Sequence, residues 1–238
     1  MNGVEAENLT VAYDKKPVLS DVSFAIPKGC LAAVIGPNGA GKTTLLKSLL
    51  GLVPVAGGKV RFPEGEDGRK PVIGYVPQSE SVDWDFPVTA LDVVTMGCYG
   101  RLGWFRKPKR EDKRLAREML EKMGMEEFAH RQISCLSGGQ QQRVFLARAL
   151  AQQADIYFMD EPFKGVDKST EKVIVEQLKE LRDRGKTVVV VHHDLQTVCE
   201  YFDWVTVINV TVVANGAVSE VFNCENLTAA YRCCMDGL

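Results

Sequence analysis

No CxxC pair occurs among the seven cysteines, only three histidines are present, and no apolar run approaches the length of a membrane-spanning helix. Scattered thiols with so few imidazoles argue against a zinc ribbon or a redox dithiol, and for reduced cysteines in a cytosolic compartment. Cys233 and Cys234 are adjacent near the end of the chain. With few partner ligands available they read as plain tail thiols rather than metal ligands. A marked excess of charge of one sign is also missing. The 29 basic and 31 acidic side chains leave a formal net charge of −2, so no overall basic field points to nucleic acid. Residues 1–16 carry no apolar signal-peptide core, and the strongest apolar run, residues 187–191, has the length of a strand. The expectation is a protein on the cytoplasmic side that needs another molecule to hold it at a membrane. Internal repeats and low-complexity tracts are absent as well.

What is present is the composition of a globular domain. The 238 residues are 45% hydrophobic and 25% charged, enough for a sizeable core without disulfides. Residues 8–13, 22–26 and 31–35 read as strands separated by turn residues. A glycine-rich loop follows, then a helix over residues 42–50 that ends at Gly51. Residues 63–70 form a polar, glycine-containing turn before a short strand at 72–76. Leu115, Ala116, Met119, Leu120 and Met123 recur at helical spacing, with Gly124 as the stop. A further helix follows Ser137. Strand and helix then alternate: a buried strand at 156–159, an amphipathic helix at 170–184 with Val173, Ile174, Leu178 and Leu181 on one face, and a β-branched strand at 187–191 suited to a parallel sheet covered on both sides. Residues 204–209 and 210–214 read as two late strands.

Gly36-Pro37-Asn38-Gly39-Ala40-Gly41-Lys42-Thr43 fits GxxxxGK[ST], and its place between a strand and a helix gives the pattern its weight. Gly36, Gly39 and Gly41 let the backbone curl so that several N–H groups face one anion, and the next helix adds its positive end. Lys42 is expected on the β- and γ-phosphates of ATP, and the Thr43 hydroxyl on Mg2+. A carboxylate at a strand end is the second requirement, met by Asp160 directly after the 155–159 run, with Glu161 beside it. One of these acids holds the metal and the other accepts a proton from attacking water.

Leu136-Ser137-Gly138-Gly139-Gln140, together with Asp160-Glu161-Pro162, resembles the ATP-binding-cassette (ABC) ATPases. The resemblance spans residues 5–222 and implies an α/β P-loop NTPase (RecA-like) core with an antiparallel β subdomain and an inserted α-helical subdomain. It places core and β subdomain at 1–79 and 153–222, the helical insert at 80–152 and a tail at 223–238, all within one ABC ATPase domain, 1–238. It implies that Tyr13, 23 residues before Gly36, stacks on adenine. Pro37, Asn38, Ala40 and Thr44 join the nucleotide-binding residues of the loop, and Gln78 becomes a ligand of magnesium and water. Asp167 corresponds to the D-loop aspartate and His193 to the switch histidine. In such proteins two copies sandwich two ATP molecules, so that the loop of one faces Ser137, Gly138, Gly139 and Gln140 of the other. Ser137 also suits a helix N-cap. Two positions depart from the pattern. Lys164 stands where many relatives have a small residue, and His192 replaces a hydroxyl residue, which leaves open from chemistry alone which ring faces the γ-phosphate.

The stretch after Gln78, SESVDWDFPVTALDVVTMGCYGRLGWF, resembles the ATPase subunits of bacterial manganese, zinc and iron importers. That resemblance implies a homodimer under integral-membrane permease subunits, supplied by an extracytoplasmic metal-binding protein, with manganese first among cargoes and no metal site for the cargo in this chain. Trp84, Phe86 and residues 91–96 suit a groove for a short permease helix. Ordinary core packing is the alternative for Leu91, Val94 and Met96. Residues 101–114 carry seven basic and two acidic side chains, read as a solvated helix face or, less simply, as contact with anionic headgroups. Competing readings are another small solute as cargo, or a soluble ABC protein acting on DNA or ribosomes.

Overall fold

The computed structural model describes residues 2–14, 16–65, 68–78, 86–102 and 107–232. In chain order its elements are β1 (Asn2–Tyr13), β2 (Lys16–Pro27), β3 (Leu31–Ile35), α1 (Lys42–Leu49), β4 (Gly57–Arg61), β5 (Ile73–Val76), α2 (Ala90–Met96), α3 (Tyr99–Leu102), α4 (Arg110–Lys122), α5 (Gly138–Ala151), β6 (Ile156–Asp160), α6 (Lys168–Asp183), β7 (Thr187–Val191), α7 (Val198–Tyr201), β8 (Trp204–Asn209), β9 (Thr211–Ala217), α8 (Val218–Val221) and α9 (Cys224–Arg232). They divide into two compact units, Met1–Pro71 with Leu181–Leu238, and Val72–Glu180.

The first unit holds two sheets. β1 lies between β2 and β4 in an antiparallel sheet. β1 and β2 run longer than their apolar patterns suggest, because bulges at Asn8 and Asp21, both at positive φ, break the alternation. The Asn8 amide donates to the Asp21 carboxylate at 2.6 Å and ties the two irregularities together. β4 offers one apolar residue among glycines and charges, which is why its pattern is silent. In the other sheet β3 pairs in parallel with β7 on one side and β8 on the other, and β9 folds back antiparallel on β8. Every residue of β3 and β7 is buried, as a strand covered on both faces requires.

The second unit pairs β5 with β6 in parallel, Val76 opposite Met159. Its helices α2, α4 and α5 share a core of Ala90, Val94, Ala116, Leu120, Met123, Val144 and Ala147. Gly124, at φ 61°, stops α4 as expected, and Arg143 Nη1 donates to the Met123 and Gly124 carbonyls there. Thr89 caps α2 in a reciprocal box with Asp92. Leu91 and Val94 are core residues, whereas Met96 is exposed. Along α6 the buried face is Ile174, Val175, Leu178 and Leu181, so three of the four expected residues are buried and Val175 takes the place of the half-buried Val173. Trp84 lies outside the described residues, as do Cys233 and Cys234.

His192 closes β7. Its N–H donates to Val34 O at 3.0 Å and its ring is buried, 1% exposed, beside Phe202 at 5.1 Å between centroids. The Thr197 hydroxyl donates to Asp194 O, so His192 Nε2 is the donor in its 2.7 Å bond to Thr197 Oγ1. Burial first, then the neighbouring His193, pull the His192 pKa from its ordinary 6.5 to about 4. Because the unfolded chain binds this proton more readily, the contribution of neutral His192 is intact above 6.5 and is lost as pH falls from there toward 4. Moving from about pH 7 to about pH 5 is expected to cost about 2 kcal/mol, or roughly 4 to 8 °C in Tm. Calorimetry at both pH values checks this, and His192→Asn is expected to flatten that acid limb.

Candidate functional site

In the first unit, β3 ends at Ile35 and the loop of residues 36–41 leads into α1, whose N-cap is Gly41 at φ 91°. Glycine is required at two points for different reasons. A Cβ on Gly36 would run into the Ile208 carbonyl oxygen of β8, and one on Gly41 would lie 2.7 Å from Leu19 Cδ2 in a backbone region that side chains avoid. The loop closes on itself through Ala40 N to Pro37 O at 3.2 Å, and is tied to the late strands by Val210 N to Ala40 O at 3.2 Å. Asn38 and Gly39 are exposed at its crest. Lys42 is buried, 8% exposed, and its Nζ donates to Gly36 O at 2.8 Å and Pro37 O at 2.9 Å. The ammonium therefore lies along the rim of the loop, where anionic oxygens can take over from carbonyls. Thr43 and Thr44 are half-buried on the first turn of α1, and Tyr13 stands exposed at the end of β1.

A contribution from the end of the chain was not legible in the sequence. The Tyr231 hydroxyl is hydrogen-bonded to the Gly36 backbone, and Asn209 Nδ2 donates to Ala230 O at 2.9 Å. Burial raises the Tyr231 pKa, so the phenol stays neutral beside the loop. No local motif marks either residue. Their partners come from far along the chain, and only the fold brings α9 to β3 and β8. His193 is exposed, in contrast to His192. Alternation after β7 thus leaves one ring for solvent and buries the other.

In the second unit, β6 delivers Asp160 at its last position, 1% exposed, and Glu161 turns out of the strand at φ 51°. Burial and then the Asp160 charge raise the pKa of Tyr75, on the adjacent β5. Gln78 follows β5 by two residues and is half-buried. The turn after β6 returns on itself, Lys164 N donating to Glu161 O at 3.1 Å, and carries Lys164 Nζ to 3.7 Å from Glu161 Oε2. Asp160 is a hard oxygen donor of the type Mg2+ takes, as are the Thr43 hydroxyl and the Gln78 amide; thiol and imidazole are absent from that set. Among the described residues no cluster of three His, Cys, Asp or Glu side chains forms a metal site.

Ser137 is the N-cap of α5, with Gln140 N donating to Ser137 Oγ at 3.4 Å and Ser137 N to Gln140 Oε1 at 2.9 Å. The S-x-x-Q spacing signals this box, so Gln140 has a structural task besides any contact with nucleotide. Gly138 has open space where a side chain would stand, and a Cβ on Gly139 would lie 3.8 Å from Gly165 O and from Val166 Cγ1 in the turn after β6, an ordinary contact distance. Asp167 caps α6. It accepts from the Ser169 hydroxyl, from Ser169 N and Thr170 N at 2.9 Å each, and from the Thr170 hydroxyl at 3.1 Å. These bonds, the Ser169 hydroxyl foremost, hold its pKa well below the usual carboxylate range.

Comparison with known proteins places these features in a family. The family model described as ABC transporter matches residues 19–164. The manganese transport system ATP-binding protein MntB of Bacillus subtilis is 57% identical over 230 residues, covering 96% of this chain and 92% of that protein. The zinc transport system ATP-binding protein TroB of Treponema pallidum is 58% identical over 231 residues, covering 96% and 86%. Among solved structures, an ABC transporter assigned to the metal-chelate type, in an inward-facing conformation, is 30% identical with a TM-score of 0.84, covering 97% of this chain and 89% of that one. The dimeric bacterial cassette MJ0796 is 29% identical with a TM-score of 0.78, covering 90% and 98%. The two sheets, the helical unit and the glycine loop are those of a P-loop NTPase, and the chain belongs to the ABC transporter family as one of its ATPase cassettes.

Proposed function

We propose that this chain is the ATP-hydrolysing subunit of an importer that carries manganese through a partner permease, working as a homodimer on the cytoplasmic face of the membrane. The observation that carries the cargo is the 57% identity to a manganese-system protein along 96% of the chain. A second reading, zinc, is favoured by the equally similar TroB. The cargo passes through the permease, supplied by an extracytoplasmic binding protein, and never meets this chain. Exposed Phe86, Met96 and Tyr99 on the helical unit are the side chains we assign to the permease contact.

The division of labour follows from the chemistry of each residue. Backbone N–H groups of residues 36–41 and the start of α1 bind phosphate oxygens, and Lys42 exchanges its carbonyl partners for the β- and γ-phosphates. Pro37, Asn38, Ala40 and Thr44 shape and flank that cradle, and Tyr13 stacks on the base. Thr43, Asp160 and Gln78 would hold magnesium, which when bound neutralises charge on the phosphates. Glu161 accepts the proton of the attacking water, and His193 holds the γ-phosphate, a task that buried His192 cannot share. Ser137, Gly138, Gly139 and Gln140 present the N-terminus of α5 to the nucleotide of the second copy. Asp167 acts across the dimer through the shape of the turn it caps.

Uptake of radiolabelled manganese and zinc by cells lacking this subunit tests the cargo. Manganese uptake is expected to fall and return with the wild-type chain, and loss of zinc uptake alone would favour the second reading. Glu161→Gln is expected to keep ATP binding while lowering kcat by about a hundredfold or more, with ATP-dependent dimers accumulating on size exclusion. Lys164 holds the Glu161 carboxylate toward its own turn, so Lys164→Ala is expected to raise kcat about two- to threefold at unchanged KM, and Lys164→Arg to restore the wild-type rate. Steady-state kinetics read both constants.

A further inference from the structure

The segment that carries His193 is fastened at both ends. On one side the His192 N–H donates to Val34 O of β3 at 3.0 Å, and the His192 ring is buried against Phe202. On the other the Thr197 carbonyl accepts from Glu200 N at 3.2 Å and Tyr201 N at 3.0 Å as α7 begins. Between these ends His193 and Gln196 are exposed, and Asp194 and Leu195 are half-buried. Exposed connections of this kind move about their ends unless bonds cross them.

Two hydrogen bonds do cross this one. His192 Nε2 donates to Thr197 Oγ1 at 2.7 Å, and the Thr197 hydroxyl donates in turn to Asp194 O at 3.2 Å. A single hydroxyl thereby joins the residue before His193 to the residue after it. The Asp194 carboxylate closes the rest of the turn by accepting from Gln196 N at 2.9 Å.

Neither polar group is required by the elements it belongs to. A threonine at a helix N-cap ordinarily has extended backbone, and its hydroxyl accepts from an N–H of the first turn. Thr197 is the N-cap of α7 but sits at φ −97° and ψ −5°, and its side chain makes no capping bond. Its hydroxyl points back to the loop instead. At His192 an apolar ring would fill the space beside Phe202 without the cost of burying a polar one. What the two groups achieve together is a fixed direction for the chain where it presents His193. A ring that must meet a phosphate oxygen at hydrogen-bond distance gains from such a brace, because its placement is settled before the nucleotide arrives.

We propose that His192 and Thr197 are positioning residues for His193, bracing the turn that presents it to the γ-phosphate. Both act through that turn and neither meets the nucleotide. The proposal rests on the role given above to His193.

Single-turnover hydrolysis of radiolabelled ATP by the purified full chain provides the test. Thr197→Val keeps the shape of the side chain and removes the hydroxyl. It is expected to lower the rate constant about fivefold or more, while affinity for a fluorescent ATP analogue changes by less than about twofold. Thr197→Ser, which returns the hydroxyl, is expected to turn over as the wild type does. His193→Ala is expected to be slowed about a hundredfold or more. In that background Thr197→Val is expected to add nothing, since a brace has no effect once the ring it holds is gone. Thr197→Ala is expected to reproduce each of these losses and takes the place of the valine variant should that one not fold. Wild-type turnover in the Thr197 variants beside a slow His193→Ala would overturn the proposal and leave the role of His193 standing. Equal losses from Thr197→Val with and without the His193 ring would also overturn it, by exposing a contribution that does not pass through His193. Wild-type turnover in His193→Ala would remove the role of His193 itself, and the brace with it.

Discussion

Gly36 has no room for a side chain because the carbonyl of Ile208 occupies the place where a Cβ would stand. That close approach is the constraint from which the rest of the first unit follows. It requires β8 to lie beside β3 in a fixed register, Ile35 opposite Val207. It requires the chain after β8 to leave at once, which Val210 does at φ 62° while donating to Ala40 O at 3.2 Å. β7 on the other flank of β3 then sets where the chain emerges as His192 and His193. Loop, late strands and histidine pair are thus one arrangement, and a glycine is its tightest point.

The second unit solves a different problem, namely how to offer polar groups on exposed turns without leaving them floppy. Ser137 with Gln140, and Asp167 with Ser169 and Thr170, are each tied into a helix N-terminus by their own hydrogen bonds. Side-chain entropy lost on meeting a partner is therefore already spent when each helix forms. The same bonds limit what these residues do with their oxygens. A carboxylate that accepts from two backbone N–H groups and two hydroxyls influences a neighbour through the position of the turn more than by direct contact.

Legibility in the sequence followed the range of the interactions. Local grammar gave the loop at 36–43, the strand ending at Asp160, the stop at Gly124 and the cap at Ser137. Each depends on residues within a few positions of one another. The fully apolar β3 and the valine run of β7 were equally plain. The rule failed at β4, where one valine among glycines carries no pattern, and at α6, where one apolar side chain beside another leaves the choice of buried face to tertiary contacts. It failed completely for Tyr231 and Asn209, whose relation to the loop depends on α9 returning from the far end of the chain. The sequence left His192 and His193 equivalent by chemistry. Burial separates them, because one ring is committed to Thr197 Oγ1 and the other is not.

The position of Lys42 shows how such a loop combines order with responsiveness. A lysine this deeply buried would be costly without acceptors, and two main-chain carbonyls, at 2.8 and 2.9 Å, supply them. Those carbonyls belong to Gly36 and Pro37, the residues that set the loop's curvature. Phosphate oxygens, being charged, outcompete neutral carbonyls for the same ammonium. The ammonium and the late strands thus draw on neighbouring carbonyls of one loop, Gly36 and Pro37 for Lys42 and Ala40 for Val210 N, so the order of the loop and the placing of its lysine have a common origin.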